Sequence, residues 1–277
     1  MWRADLAIAC ADELGVADDS AVALAAACEL VHQASVVHDD VQDQTPLRRG
    51  QMSVGVRFGA PVAICVGDHL LMAAFRVLAE APGGSTLNRL FATRISDMAA
   101  GQAEGFSTTL WSTLTRARYV SLVEAKAGNM IALPVVAASM LGGLGADDIR
   151  RASRCACTIG VAYQITDDVA DVAADVARGE LNGVLVEAVC SGDPVQDNSL
   201  RLTLTRATEK GISTQDATTL MPSLQCAVDA TIQWRDRLLA EAMQELVGHP
   251  LHRILLNAAM SIAPSLQAPS PGSQHAR

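Results

Sequence analysis

Two runs of aspartate hold the residues best suited to chemistry. The first is Val37-His38-Asp39-Asp40-Val41-Gln42-Asp43, and the second is Tyr163-Gln164-Ile165-Thr166-Asp167-Asp168-Val169-Ala170-Asp171. Both follow an Asp-Asp-x-x-Asp spacing. On a helix, Asp39 and Asp43 lie one turn apart on one face with Asp40 beside them, and Asp167, Asp168 and Asp171 repeat the arrangement. Carboxylates crowded in this way repel one another unless a cation sits among them. Hard oxygen donors that leave room for water suit Mg²⁺, which binds one or two carboxylates together with substrate phosphates. A single such cluster is equally a solvated helix end. Two copies, each at the polar end of an apolar helix, point to several Mg²⁺ ions around one diphosphate.

Cations stand nearby in the sequence. Arg48-Arg49-Gly50 follows the first cluster, and paired arginines bind phosphate oxygens bidentately. Read alone, they are two exposed loop arginines. Lys126, in Val123-Glu124-Ala125-Lys126-Ala127-Gly128, reads alone as a helix lysine paired with an acid.

The elements that must position these residues are helices. Val22, Ala26, Leu30, Ala34 and Val37 fall at steps of three and four, as do Phe91, Ile95, Met98 and Gln102. Val228, Ile232, Leu239, Met243 and Leu246 continue the pattern with one longer gap. Alternating strand patterns are scarce. Pro82-Gly83-Gly84, Gly142-Gly143, Asn182-Gly183, Gly192-Asp193-Pro194 and Gly248-His249-Pro250 punctuate the helices. The 277 residues show no composition shift that marks a second domain, so one domain is expected over 1–263 and a disordered tail over 264–277.

Half the residues are hydrophobic and only 3% aromatic, which suits closely packed small-residue helices. The formal net charge of −9 argues against a nucleic-acid surface. Seven cysteines without a repeated spacing argue against a disulfide framework and fit a reducing cytoplasm. Cys155 and Cys157 read as small buried residues. No signal peptide is visible, and no uncharged apolar run reaches the ~18 residues of a membrane span. The run from Ile131 to Ala146 comes nearest, with Pro134 and its Gly cluster expected to break it.

With these residues in place, the sequence resembles the trans-isoprenyl diphosphate synthases, or polyprenyl synthetases. The likeness is close over the pattern His-x5-His-Asp-Asp-x2-Asp-x4-Arg-Arg-Gly, here His32 through Gly50. It continues through Gly67-Asp68 with Leu70-Leu71, Gly101-Gln102, Lys126 and Tyr163-Gln164 to the second cluster. The stretch from Ala227 to Ile262 is similar in character. The resemblance implies an all-α fold, a single bundle of roughly ten or more helices around a central cavity, usually a homodimer. It implies Mg²⁺ held by Asp39, Asp40 and Asp43 and by Asp167, Asp168 and Asp171. It further implies Arg48 on the allylic diphosphate, Arg3, His32 and Arg49 on isopentenyl diphosphate, and Lys126 and Gln164 near the departing diphosphate. The small residues Ala34 and Ser35 match the tunnel floor and imply products of C20 or longer.

Three departures bear on the isopentenyl half of that reaction. The chain starts at Met1-Trp2-Arg3, so the Gly-Gly-Lys part of the family segment and the helix before it are absent. Either the start lies upstream, or Arg3, His32 and Arg49 bind isopentenyl diphosphate unaided, with Leu6, Ile8 and Cys10 left uncovered. The loop after Asp171 is short and lacks a Gly-Lys pair, and Glu180 stands where a lysine usually follows. Chain elongation is the expected reaction. Cyclisation or lysis of a prenyl diphosphate without isopentenyl addition is the alternative, disfavoured by His32, Arg49 and the intact second cluster. A non-catalytic partner subunit is disfavoured by both clusters.

Overall fold

The computed structural model describes residues 2–106, 113–178, 180–190, 194–210, 214–264 and 266. Those residues are almost wholly helical, in more than ten helices. The expected tail lies outside them, apart from Pro264 and Leu266. The chain divides into two compact units, Met1–Arg94 with Leu133–Ser153, and Ile95–Ala132 with Arg154–Arg277.

In the first unit, α1 (Trp2–Glu13) packs on α2 (Asp18–Gln42). Leu6, Ala7, Cys10 and Ala11 recur at helical spacing and are buried, while Ile8 is half-buried. The expectation that Leu6 and Cys10 stay uncovered is therefore wrong, because α2 covers the face they share. The acidic Asp18 and Asp19 open α2, where they complement the helix dipole. Its buried face is Ala21, Leu24, Ala25, Cys28, Val31 and Ala34. The expected stripe is rotated from this one, and Val22 and Ala26 are exposed. An Ala-rich helix is apolar nearly all round, so periodicity alone does not choose its inner face.

Two short strands follow, β1 (Leu47–Arg48) and β2 (Gln51–Met52), paired antiparallel with Leu47 opposite Met52 and Arg48 opposite Gln51. Arg49 and Gly50 form the two-residue turn, with φ of 52° and 79°. Both angles are positive, as a type I′ hairpin turn requires. Then come α3 (Val54–Phe58), N-capped by Ser53, α4 (Ala60–Glu80), with a proline in its first turn, and α5 (Gly84–Gly105).

In the second unit, α6 (Arg116–Val123) runs into a π-helical turn, Glu124–Gly128, which holds Lys126. This turn is crowded by neighbours that lack side chains. A Cβ on Gly160 would lie 2.5 Å from the Ala127 carbonyl oxygen, and one on Gly101 would lie 2.5 Å from the Ala125 Cβ. The next helix, α7 (Asn129–Leu141), belongs to the first unit from Leu133 onward, runs through Pro134 and ends at Gly142-Gly143. Of the expected breaks, the one at Pro134 does not occur, and the one at the glycines does. Ile131, Ala132, Leu133, Val135, Val136, Ala137 and Ala138 are all buried, and their burial outweighs the roughly 3 kcal/mol that an interior proline costs.

The remaining helices are α8 (Ala146–Arg178), α9 (Gly183–Val189), α10 (Pro194–Lys210), α11 (Thr214–Glu245) and α12 (His252–Ile262). Every residue of α9 is buried. It belongs to a core with Tyr119, Leu122, Val161, Ile165, Leu204 and Trp234. The cysteines are all free, with Cys155 buried and Cys157 half-buried. Among the described residues, three helical stretches, Asp18–Gln42, Ala60–Glu80 and Arg116–Leu141, are long and apolar enough to cross a membrane by length and composition alone.

Candidate active site

The first cluster occupies the C-terminal end of α2. Asp43 caps the helix, and its N–H donates to the Asp39 carbonyl at 2.8 Å, while the Thr45 N–H donates to the Asp40 carbonyl at 3.0 Å. The three carboxylates meet different surroundings. Asp39 is half-buried, Asp43 is exposed, and Asp40 is only 5% exposed. Asp40 Oδ1 accepts from Arg48 Nε at 3.0 Å and from Arg48 Nη2 at 2.5 Å. The hairpin makes this possible by folding Arg48 back over the helix end. The hydrogen bond to Asp40, with the charges of Asp40, Asp39 and Asp43, holds the Arg48 guanidinium above its ordinary pKa, against a smaller effect of burial.

Arg3 and Arg49 lie within electrostatic reach of His32 in the same unit. Burial pushes the His32 imidazole down to about 4. Arg3 and Arg49 push it the same way, and Glu29 opposes them. At neutral pH His32 is therefore an uncharged group within electrostatic reach of two guanidinium ions.

The second cluster lies on α8 in the other unit and repeats the pattern. Asp167 is half-buried, Asp171 is exposed, and Asp168 is only 2% exposed. Asp168 Oδ2 accepts from the Tyr119 hydroxyl at 2.5 Å and from the Gly183 N–H at 2.5 Å, and Oδ1 accepts from Gln164 Nε2 at 2.8 Å. Asn182 completes the network. Its Nδ2 donates to the Asp168 carbonyl and to Asp175 Oδ2, both at 2.7 Å, and its Oδ1 caps α9 by accepting from the Val184 N–H at 2.8 Å. Burial pushes the Asp168 carboxyl up to about 6, against the three hydrogen bonds that favour its charged form; Asp175 adds to the rise. Burial and the neighbouring charge of Asp168 hold the Tyr119 phenol well above its ordinary pKa, so it remains a donor. The Tyr119 ring also meets Trp234, with centroids 5.7 Å apart.

Gln164, expected beside a departing diphosphate, is thus engaged with Asp168. Lys126 is half-buried in the π-turn. Glu180 is half-buried, and its N–H donates to the Asp175 carbonyl at 3.0 Å. Among the described residues, no group of three or more His, Cys, Asp or Glu side chains is gathered to hold a metal ion. Asp40 and Asp168 are each turned towards protein donors.

Sequence reasoning missed Tyr119, Asn182, Asp175 and Arg235. Asn182-Gly183 was legible only as a breaker, although Asn before a short apolar run is also an N-cap signal. Arg235, 11% exposed, donates from Nη1 to Thr166 Oγ1 at 3.2 Å, beside the second cluster. Nothing in the local sequence around Arg235 links it to residue 166.

The family model described as Polyprenyl synthetase matches residues 1–183, a span that contains both clusters and the arginine pair. The chain belongs to the polyprenyl synthetase family. Nonaprenyl diphosphate synthase of Mycobacterium tuberculosis is 36% identical over 160 residues, 56% of this chain and 46% of that protein. Farnesyl diphosphate synthase of Geobacillus stearothermophilus is 36% identical over 170 residues, 56% of each chain. The chain spans about half the length of these curated relatives. Decaprenyl diphosphate synthase of Rhodobacter capsulatus superposes with a TM-score of 0.84 at 21% identity, covering 96% of this chain and 86% of that one. A Caulobacter crescentus polyprenyl synthase, solved with calcium and isoprenyl diphosphate, gives 0.81 at 23% identity over 96% and 85%. The fold is therefore the all-helical fold of these synthases. The family model stops at residue 183, ahead of the stretch from Ala227 to Ile262.

Tyr119→Phe removes one donor from a buried carboxylate and raises the Asp168 pKa further. A raised carboxyl loses its contribution to stability as pH rises through its folded value, so the deficit grows above about pH 6. In chelator-treated buffer, denaturant unfolding is expected to show a loss of about 1.5–3 kcal/mol at pH 8 and a smaller one at pH 5. Equal losses at both pH values would show that Asp168 stays charged throughout.

Proposed function

We propose that this chain is a Mg²⁺-dependent trans-prenyltransferase. It condenses an allylic diphosphate with isopentenyl diphosphate to give a longer trans-polyprenyl diphosphate, of C20 or longer. The observation that carries this reading is the matched build of the two clusters in a polyprenyl synthetase chain. In each, the middle aspartate is buried on protein donors, and the outer two stand nearer solvent.

That donor set fits a hard cation that keeps some of its water. We assign metal binding to Asp39 and Asp43 and to Asp167 and Asp171. Asp40 and Asp168 hold each cluster in shape, which narrows the expected six ligands to four. When bound, Mg²⁺ supplies Lewis-acid stabilisation of the diphosphate leaving group. Arg48 spends two donors on Asp40 and has others for the allylic diphosphate. Lys126 adds fixed positive charge where the departing diphosphate gains negative charge. Arg3 and Arg49, with neutral His32 as a hydrogen-bonding partner, take the isopentenyl diphosphate. The allylic C–O bond ionises, the isopentenyl double bond attacks the cation, and the released diphosphate takes the proton. No side-chain base is assigned.

The test is incubation with labelled isopentenyl diphosphate and C5 to C20 allylic diphosphates across a Mg²⁺ titration. Asp39→Ala is expected to lower turnover on the order of 10²- to 10³-fold, the scale for losing one group that stabilises transition-state charge. Its thermal midpoint should hold or rise, because a like charge leaves a crowded site. Full activity in excess chelator would overturn the reading, and allylic turnover without elongation would favour the cyclase or lyase.

Product length has its own test. Ala34 is fully buried on α2, ahead of the first cluster. Ala34→Phe should shorten the main product, at a stability cost of about 1–3 kcal/mol from overpacking. An unchanged product in a folded variant places the floor elsewhere.

We further propose a homodimer. Helix α4 is only 22% buried over its most apolar window. It exposes Val62, Ile64 and Met72, with Phe58 just before it, and large apolar side chains left exposed on so lightly covered a helix mark a contact surface. Light scattering should give twice the chain mass, and Met72→Glu should shift it to one. A wild-type monomer at micromolar concentration would end the proposal.

A further inference from the structure

The pair Gly67-Asp68 has no role in the scheme above, and neither has His38, the residue just before the first cluster. The structure brings the three together. Gly67 is buried on α4, and a Cβ there would lie 2.1 Å from His38 Nε2, 2.4 Å from Cδ2 and 2.8 Å from Cε1. Only glycine leaves the notch in which this ring sits. Within it, His38 Nε2 lies 3.3 Å from the Ile64 carbonyl oxygen and 3.5 Å from Asp68 Oδ1. With acceptors on that side, Nε2 carries the ring proton and donates it to the helix carbonyl.

A group placed only for packing would be buried and apolar. Here the imidazole is 28% exposed and Asp68 is 66% exposed, so little apolar area is gained. What the contact does gain is direction. It pins the last full turn of α2 to α4 one residue ahead of Asp39, whose carbonyl in turn holds Asp43 through the 2.8 Å bond. Groups that hydrogen-bond to metal ligands and orient them are worth about 10- to 100-fold in affinity, and a group that fixes the turn bearing the ligands acts at the lower end of that scale.

We propose that His38, seated in the Gly67 notch and flanked by Asp68, is a positioning residue that sets the turn presenting Asp39 and Asp43. The proposal rests on the metal role assigned above to those two residues.

The test uses the full chain stripped of metal. Its thermal midpoint is followed as Mg²⁺ is added in the presence of inorganic diphosphate, with no turnover involved. For His38→Ala and Gly67→Ala, the Mg²⁺ needed for half the shift should rise about tenfold, while the metal-free midpoint stays near that of the wild type. His38→Gln, which keeps an N–H donor on a flexible stem, should recover part of the loss. The double variant should be no worse than His38→Ala, since the clash at the notch is then gone. If Gly67→Ala does not fold, the two His38 variants decide. A wild-type Mg²⁺ requirement in His38→Ala would overturn the inference. So would a loss in His38→Gln as large as in His38→Ala, which would reduce the contact to ring packing. A wild-type chain that shows no Mg²⁺ shift at all would instead sink the metal assignment and this inference together.

Discussion

Mutual repulsion among neighbouring carboxylates is the constraint to which much of this structure answers. Asp39, Asp40 and Asp43 are crowded on one helix end, and Asp167, Asp168 and Asp171 on one turn of another. Each cluster relieves the crowding in the same way. The middle carboxylate is drawn inward onto donors, Arg48 for Asp40 and Tyr119, Gln164 and the Gly183 N–H for Asp168. The partners differ. Arg48 brings a full charge to Asp40. Asp168 receives only dipoles, so burial still raises its pKa. A buried anion needs its whole set of hydrogen bonds, and this need ties α6, α8 and α9 to one point.

The sequence made the clusters, the arginine pair and the helical class legible, because spacing alone places residues on a helix face. It did not make legible which member of each triplet turns inward. That choice depends on donors 8 residues away for Asp40, and 49 and 15 residues away for Asp168. The inner face of α2 was hidden for a different reason, since alanine gives too weak a contrast between its sides. The hairpin at Leu47–Met52 was missed because two-residue strands carry no alternation to detect; only the glycine after the arginines hinted at it.

Close packing governs the π-turn around Lys126. Glycines at 101 and 160 let neighbouring backbone approach Ala125 and Ala127 more nearly than any side chain would permit. Such approach is what a chain rich in alanine and poor in aromatics can achieve. It explains how a low-aromatic composition still yields a dense interior. The π-helical turn is a single one set between two α-helical stretches, the form in which such turns mostly occur.

The type I′ turn that aims Arg48 also has a consequence for Arg49. Arg49 holds a left-handed backbone conformation, which a residue with a Cβ adopts at some cost. Alanine scanning at this position would therefore remove the charge without testing the charge alone, and a β-branched replacement would strain the turn as well. Asparagine or glycine, which accept positive φ, are the substitutions that separate the ionic contribution of Arg49 from its conformational one.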